Sequence, residues 1–304
     1  MLAEREVLIE VVAVDDGSRD ESAAIVEASR DARVRLLRTE GIGVARATAL
    51  AANAARFPLL GRMDADDVSL PGRFARQLEA MRDPTIAVVG TQVEAFGDLG
   101  EGARRYVAWQ NAILTPEDHA REIFVESPLC QPSIVIRKTA LEAVGGWRES
   151  AGPEDYDLWL RLHGAGFRFS KVPEVFLRWR HHARRATLRD PRCARERFTL
   201  LKAPWLAALL RAAGREVVVW GAGKTGRHLA RAMERHGVSA ARFVDIDPDK
   251  IGRLARGVPI IAPELLDRRA MVVVAVGARG AREIVRSRLV GMEFVEGKDF
   301  VCAS

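Results

Sequence analysis

Carboxylates cluster at three places in this 304-residue chain, each spaced for chemistry. Asp15-Asp16-Gly17-Ser18 closes the apolar, β-branched run 7–14, and Asp64-Ala65-Asp66-Asp67 follows the apolar stretch 59–63. Glu154-Asp155 opens the amphipathic segment 154–162. Carboxylates two positions apart in a loop can share one hard cation such as Mg2+ or Mn2+. A positioned carboxylate can also take the proton of an attacking hydroxyl. Each cluster has a plainer reading. Asp-Asp-Gly-Ser is a turn with a helix cap, Asp-Ala-Asp-Asp is a solvated loop, and Glu154-Asp155 are first-turn acids favoured by the helix dipole.

The elements around the clusters alternate. Strands are expected at 7–14, 34–37, 59–63 and 86–89, and helices from Ser18 to about residue 30 and over 44–55. Pro71 marks another helix start, where its missing N–H costs nothing. This pattern predicts a parallel sheet with helical crossovers. In open sheets of that kind, ligands bind outside the strand C-termini, where the first two clusters fall. Residues 91–190 read as less regular, with a Gly145-Gly146 turn, and 191–213 reads as a helical connector.

With the text around them, the clusters resemble family 2 glycosyltransferases of the GT-A fold. The matching segments are EVVAVDDGSRDES, GIGVARATALAANAARFPLLGRMDADDVSLPGRF, and GGWRESAGPEDYDLWLRL followed by FRFSKVPEVFLRWRHH. They cover about residues 5–185. The resemblance implies that Asp16 accepts a hydrogen bond from the base of a nucleotide-sugar donor and that Arg46 lies near the nucleotide. Asp64 and Asp66 match the DxD motif, with Asp66 the main metal ligand and Asp64 nearer the nucleotide. Asp155 matches the catalytic base, and the implied outcome is inversion at the anomeric carbon. A cation held by Asp66 would neutralise the diphosphate leaving group.

The chain also departs from that family. Relatives open with a central strand and a helix before the Asp-Asp-Gly-Ser strand, whereas only 14 residues precede Asp15 here. The expectation is a misassigned start codon, with a defective or divergent form as the alternative, and weak or no activity for the sequence as it stands. Gln131 stands where relatives often carry His, which weakens any acceptor role there. Residues 178–197 hold eight arginines (178, 180, 184, 185, 189, 192, 195 and 197) against Asp190 and Glu196. Arg pairs well with phosphate oxygens, although a basic, solvated helix face is the plainer expectation. His181 and His182 fall where one of them can approach the metal or the diphosphate.

A second βαβ pattern begins at Val217. The strand 217–220 leads into Gly221-Ala222-Gly223-Lys224-Thr225-Gly226 and a helix to about residue 235, and Asp245 follows Gly226 by 19 residues. This is a dinucleotide fingerprint: the glycines permit the tight turn, the helix N-terminus offers N–H groups to a pyrophosphate, and Asp245 suits a ribose hydroxyl of NAD. The module is too short for two mononucleotide halves, so it predicts the fold more firmly than the ligand, and a docking role is the alternative. The expected organisation is a GT-A glycosyltransferase domain over 1–190 whose mostly parallel sheet lacks its first strand, a connector over 191–213, and a Rossmann-like domain over 214–304.

Composition narrows the remaining classes. The net charge is +6, but 41 of the 47 basic residues are Arg and only 6 are Lys, spread along the whole chain. With no accompanying motif, nucleic acid is set aside as a partner. Cys130, Cys193 and Cys302 are isolated, which argues against a structural zinc or a disulfide framework. No run of 18 apolar residues occurs and the N-terminus does not read as a signal peptide, so the expected location is cytoplasmic, with peripheral membrane association left open. The leading expectation is metal-dependent sugar transfer from a UDP- or GDP-linked donor to a glycan or lipid-linked acceptor. An NAD-dependent oxidoreductase and a non-catalytic sugar-nucleotide-binding protein are the alternatives.

Overall fold

The computed structural model describes residues 7–183 and 185–304. The chain divides into two compact units: Met1–His119 with Pro128–Asp190, and Ala120–Ser127 with Pro191–Ser304. In the first unit, β1 (Val11–Asp15), α1 (Ser22–Ala28), β2 (Val34–Arg38) and α2 (Val44–Ala54) lead to β3 (Leu59–Gly61), β4 (Val68–Ser69) and α3 (Arg73–Ala80). Then come β5 (Ile86–Gly97), α4 (Glu101–Ala112), α5 (Pro116–Glu122, its end already in the second unit), β6 (Val135–Arg137), α6 (Lys138–Ala143), α7 (Glu154–Gly164), β7 (Arg168–His181) and α8 (Ala186–Arg189).

β1 and β2 pair in parallel as a two-stranded sheet. The other strands form a five-stranded mixed sheet ordered β3-β6-β5-β7-β4, in which β5 and β7 run parallel. Phe74, Ile86, Val89 and Val135 form one buried core, with Val7, Ile9 and Leu59 packed against it. The helix after β1 starts at Ser22, not Ser18. Asp15 Oδ1 instead holds the Ser18 N–H at 3.2 Å, and Asp20 takes the Ser22 N–H at 3.0 Å. The middle of the chain is more regular than its sequence suggests. β5 and β7 are long strands, and the period-2 alternation of Leu177, Trp179 and His181 against Arg178 and Arg180 is that of a half-buried strand. Residues 178–181 are therefore strand, not a basic helix face.

The second unit contains α9 (Arg195–Ala213), β8 (Val217–Trp220), α10 (Lys224–Glu234), β9 (Arg242–Val244), β10 (Leu254–Ala255), β11 (Val258–Ile261), β12 (Met271–Val274), α11 (Ala281–Gly291) and β13 (Phe300–Cys302). Its sheet is ordered β10-β11-β9-β8-β12-β13, parallel apart from the edge strand β10. β8 and β12 are buried at every position, as strands covered on both faces must be. The 191–213 stretch lies within this unit, and so does the segment 120–127. Lys202 on α9 is 4% exposed and donates to the carbonyls of Phe124 (2.6 Å), Val125 (2.9 Å) and Ala303 (3.1 Å). Arg286 on α11 reaches Glu122 at 2.7 Å.

The glycine turn after β8 is sterically closed. A Cβ on Gly226 would lie 1.8 Å from the Gly221 carbonyl oxygen, and Gly221 itself has φ +121°. Both obstacles are backbone and cannot swing aside. Gly226→Ala is expected to destabilise this unit by about 3 kcal/mol through overpacking, read as a drop in its thermal unfolding midpoint. Among the described residues, no helix is long and apolar enough to cross a membrane.

Candidate active site

The acidic loop 64–67 leaves β3 through a tightly fixed exit. A side chain at Gly61 would meet the Phe74 ring at 2.6 Å, so the strand and α3 approach closely only with glycine there. The fully buried Arg73 donates to the Arg62 carbonyl at 3.0 Å and the Ile134 carbonyl at 3.3 Å. Beyond this anchor, Asp64 pairs with Arg62 at 2.7 Å. Asp66 is half exposed, with His182 Nε2 at 3.2 Å from its Oδ2.

Asp67 ties the loop to the end of β7. Its Oδ1 accepts the Arg180 N–H at 2.7 Å, and the Arg180 side chain returns a bond to the Asp66 carbonyl at 2.8 Å. Burial pushes the Asp67 carboxyl up to about 7; the Arg180 N–H opposes the shift, and the charges of Asp64 and Asp66 add to it. Among the described residues, no three His, Cys, Asp or Glu side chains converge as a metal cage.

Asp16 organises the loop that follows β2. It accepts the Thr39 hydroxyl at 2.6 Å and the N–H groups of Ile42 and Gly43 at 2.7 and 2.8 Å. The Thr39 hydroxyl bond, then the backbone bonds, hold its carboxyl below the usual range. Gly43, with φ +86°, then opens α2, whose first turn carries Arg46. Arg46 pairs with Glu149 at 3.1 Å, an exposed contact.

Asp155 is half-buried in the first turn of α7, and its Oδ1 accepts the Tyr156 N–H at 2.7 Å. Of the neighbouring acids, Asp157 is committed elsewhere, to Arg161 at 2.7 Å and Arg148 at 3.2 Å. Arg161 also holds the Gly146 carbonyl at 2.9 Å, fixing the loop before α7. A cleft of about 510 Å³ separates that loop from α2 and is lined by Ile42, Arg46, Asn53, Trp147, Arg148 and Glu149. It therefore lies between the loop that Asp16 organises and the loop that leads to Asp155. Thr39, Arg62 and Glu149 carry no motif signal. Asp67 was visible as the third acid of its cluster.

The arginine-rich stretch is dispersed. Arg178 and Arg180 lie 4.8 and 4.6 Å over the Phe96 ring, and Arg178 also pairs with Glu94. Arg185 stacks 4.3 Å over Trp179, while Arg184 lies outside the described residues. His181 is buried, and burial, then the charge of Arg185, pulls it down to about 4.

In the second unit, Gly221 and Gly223 form the expected turn before α10 and Gly226 lies in its first turn, with open space beside Gly223. Asp245 is 8% exposed and already engaged. It accepts the Ala222 and Asp247 N–H groups, each at 3.0 Å, and Lys250 at 3.3 Å.

Known proteins resemble this chain over its N-terminal part. Residues 2–145 match the family model of Glycosyl transferase family 2. Amylovoran biosynthesis glycosyltransferase AmsE of Erwinia amylovora is 27% identical over 176 residues, which are 56% of this chain and 64% of that protein. Succinoglycan biosynthesis protein ExoU of Rhizobium meliloti (strain 1021) is 43% identical over 188 residues, 56% of this chain and 53% of its own. The matched regions thus span between half and two thirds of these two relatives. A crystal structure of S. aureus TarS residues 1–349 with UDP-GlcNAc aligns with a TM-score of 0.52 at 17% identity, over 76% of this chain and 64% of that one, a likeness of fold. The match over residues 2–145, just under half of the chain, makes this part similar to glycosyl transferase family 2.

Proposed function

We propose that this chain transfers a sugar from a UDP- or GDP-linked donor to a glycan or lipid-linked acceptor, with Mg2+ or Mn2+, during polysaccharide assembly. The observation that carries the reading is the acidic loop 64–67, where Asp67 is tied to the Arg180 backbone and Asp66 stands half exposed beside His182. The similarity to AmsE, an amylovoran biosynthesis glycosyltransferase, and ExoU, a succinoglycan biosynthesis protein, supports the polysaccharide setting.

The acidic loop suits a hard divalent cation. Mg2+ is commonly held by one or two carboxylates plus substrate phosphates, so Asp66 and Asp64 suffice once a diphosphate supplies the rest. When bound, that cation neutralises charge on the departing diphosphate. Asp64 must then exchange its Arg62 partner, and His182 is placed to support Asp66. Asp16 keeps the 39–43 loop in shape beside the nucleotide, and Arg46 lines the cleft. Asp155 takes the proton of the attacking acceptor hydroxyl as the bond to the anomeric carbon forms and the nucleoside diphosphate leaves.

An NAD-dependent reaction is the weaker reading, because Asp245 is nearly buried and already accepts from Ala222, Asp247 and Lys250. The deciding experiment is release of nucleoside diphosphate from a panel of UDP- and GDP-sugars with and without Mn2+. Manganese-dependent release is expected; no release from any donor overturns the proposal.

A further inference from the structure

One arginine beside the acidic loop is held in place yet left without a carboxylate. Arg178 and Arg180 of β7 are in register with Glu94 and Phe96 of β5, so all four side chains stand on one face of the paired strands. Both guanidiniums lie over the Phe96 ring, at 4.8 and 4.6 Å. Their other contacts differ. Arg178 pairs with Glu94 at 3.1 Å. Arg180 reaches the acidic loop instead, where its Nε donates to the Asp66 carbonyl at 2.8 Å and its backbone N–H to Asp67 at 2.7 Å. The residue is exposed, and among the described residues its two terminal nitrogens have no hydrogen-bond or ion-pair partner. Asp64 and Asp66 are paired elsewhere, with Arg62 and His182.

The ring and the carbonyl fix the base of the Arg180 guanidinium, so little side-chain freedom is lost when its outer edge binds something. That edge is a planar pair of N–H donors whose geometry matches two oxygens of one phosphate. The loop carries three carboxylates, yet none of them takes that edge, which leaves it for an anion supplied from outside. During sugar transfer the bond between the anomeric carbon and the β-phosphate oxygen breaks, and its electron pair stays on that oxygen. A terminal phosphate is mostly doubly ionised near neutral pH, so the departing nucleoside diphosphate carries more charge than one divalent cation offsets. A cation already placed where that charge develops stabilises the transition state more than the ground state.

We propose that Arg180 is a catalytic residue whose two terminal nitrogens clamp the β-phosphate of the leaving nucleoside diphosphate, beside the carboxylates that hold the cation. This assignment rests on the sugar-transfer reading above. The clamp acts on the second phosphate of a nucleoside diphosphate and has no hold on a monophosphate. Arg178, on the same ring but committed to Glu94, takes no part in it.

The test uses the full chain in EDTA, where no metal contributes, and compares binding of UDP with UMP and of GDP with GMP by titration calorimetry. The wild type is expected to prefer the diphosphate of one pair about tenfold, the scale of one charge-assisted contact. Arg180→Met is expected to abolish that preference while monophosphate binding stays unchanged. Arg180→Lys, which keeps the charge but not the fork, is expected to retain part of it, and Arg178→Met all of it. With Mn2+ and the best donor of the panel, Arg180→Met is expected to lower kcat about 10²-fold with a smaller change in KM. A preserved preference in folded Arg180→Met overturns the clamp. So does an equal loss in Arg178→Met, or a wild type with no preference for either diphosphate. Should Arg180→Met fail to fold, full preference and full kcat in Arg180→Lys overturn it as well. A wild type that binds none of the four nucleotides and releases no nucleoside diphosphate from any donor removes the sugar-transfer reading itself.

Discussion

Asp155→Asn lowers sugar transfer by about 10²–10⁴-fold, the usual contribution of a positioned general base. The amide keeps the size and the hydrogen bond to the Tyr156 N–H but cannot take a proton. Folding should survive, because the neighbouring Asp157–Arg161 pair, which does hold the loop before α7, is untouched. Asp66→Ala should be as damaging by another route, removing the manganese dependence along with the rate. Its partner His182 is a partly exposed contact, and contacts of that kind contribute little to stability. Nucleoside diphosphate release with and without Mn2+, alongside thermal unfolding, separates the two effects. Full activity in Asp155→Asn would move the base to another residue, and a destabilised Asp66→Ala would make that acid structural.

Lys202→Met is the largest expected stability change. It removes the donor from the buried carbonyls of Phe124 and Ala303 and the part-buried one of Val125, while keeping the length of the side chain. A buried group left unsatisfied costs about 1–3 kcal/mol, so a loss of about 3 kcal/mol is expected for the second unit after partial relaxation. Hydrogen exchange should accelerate first at residues 120–127. The same lysine gives the unit a pH dependence. Burial pulls Lys202 down to about 7 from 10.5, against the opposing charge of Glu126. Between those values the unfolded chain binds more protons than the folded one, so stability should rise with pH, by up to about 1.4 kcal/mol per unit. Below pH 7 this contribution is flat. The slope should vanish in Lys202→Met. The probe must report on the second unit, because Lys171 in the first is also held at about 7 by burial.

Much of the scaffold was legible because its signals are local. The run ending at Asp15, the Ala-rich helix after Gly43, the acids opening α7, and the strand, glycine turn and helix from Val217 all depend on patterns a few residues long. The misreadings have equally local causes. Ser18 looked like a helix cap, but the helix starts four residues later, where Asp20 accepts the Ser22 N–H. Residues 178–181 looked like a solvated basic face because arginine dominates them, although the period of two was present. The partners of the acids were not legible. Thr39 holds Asp16 across 23 positions, and Arg180 holds Asp67 across 113. Contacts at that range depend on the assembled sheet. Lys202 showed only as a lone lysine in an apolar helix, with no sign that three carbonyls would surround it.

The segment 120–127 has a consequence for how the protein is made. It emerges from the ribosome early, yet its ties run to residues synthesised much later: Glu122 to Arg286 lies 164 positions away, and Lys202 joins it to Ala303, a further 101 positions along. Closing loops of that length is slow and must precede the contacts that repay it. The first unit is thus interrupted by a piece whose partners do not yet exist, and the second cannot be completed until Ala303 has been made. A premature stop anywhere after Asp190 would leave that piece exposed, making it a natural mark for quality-control proteases.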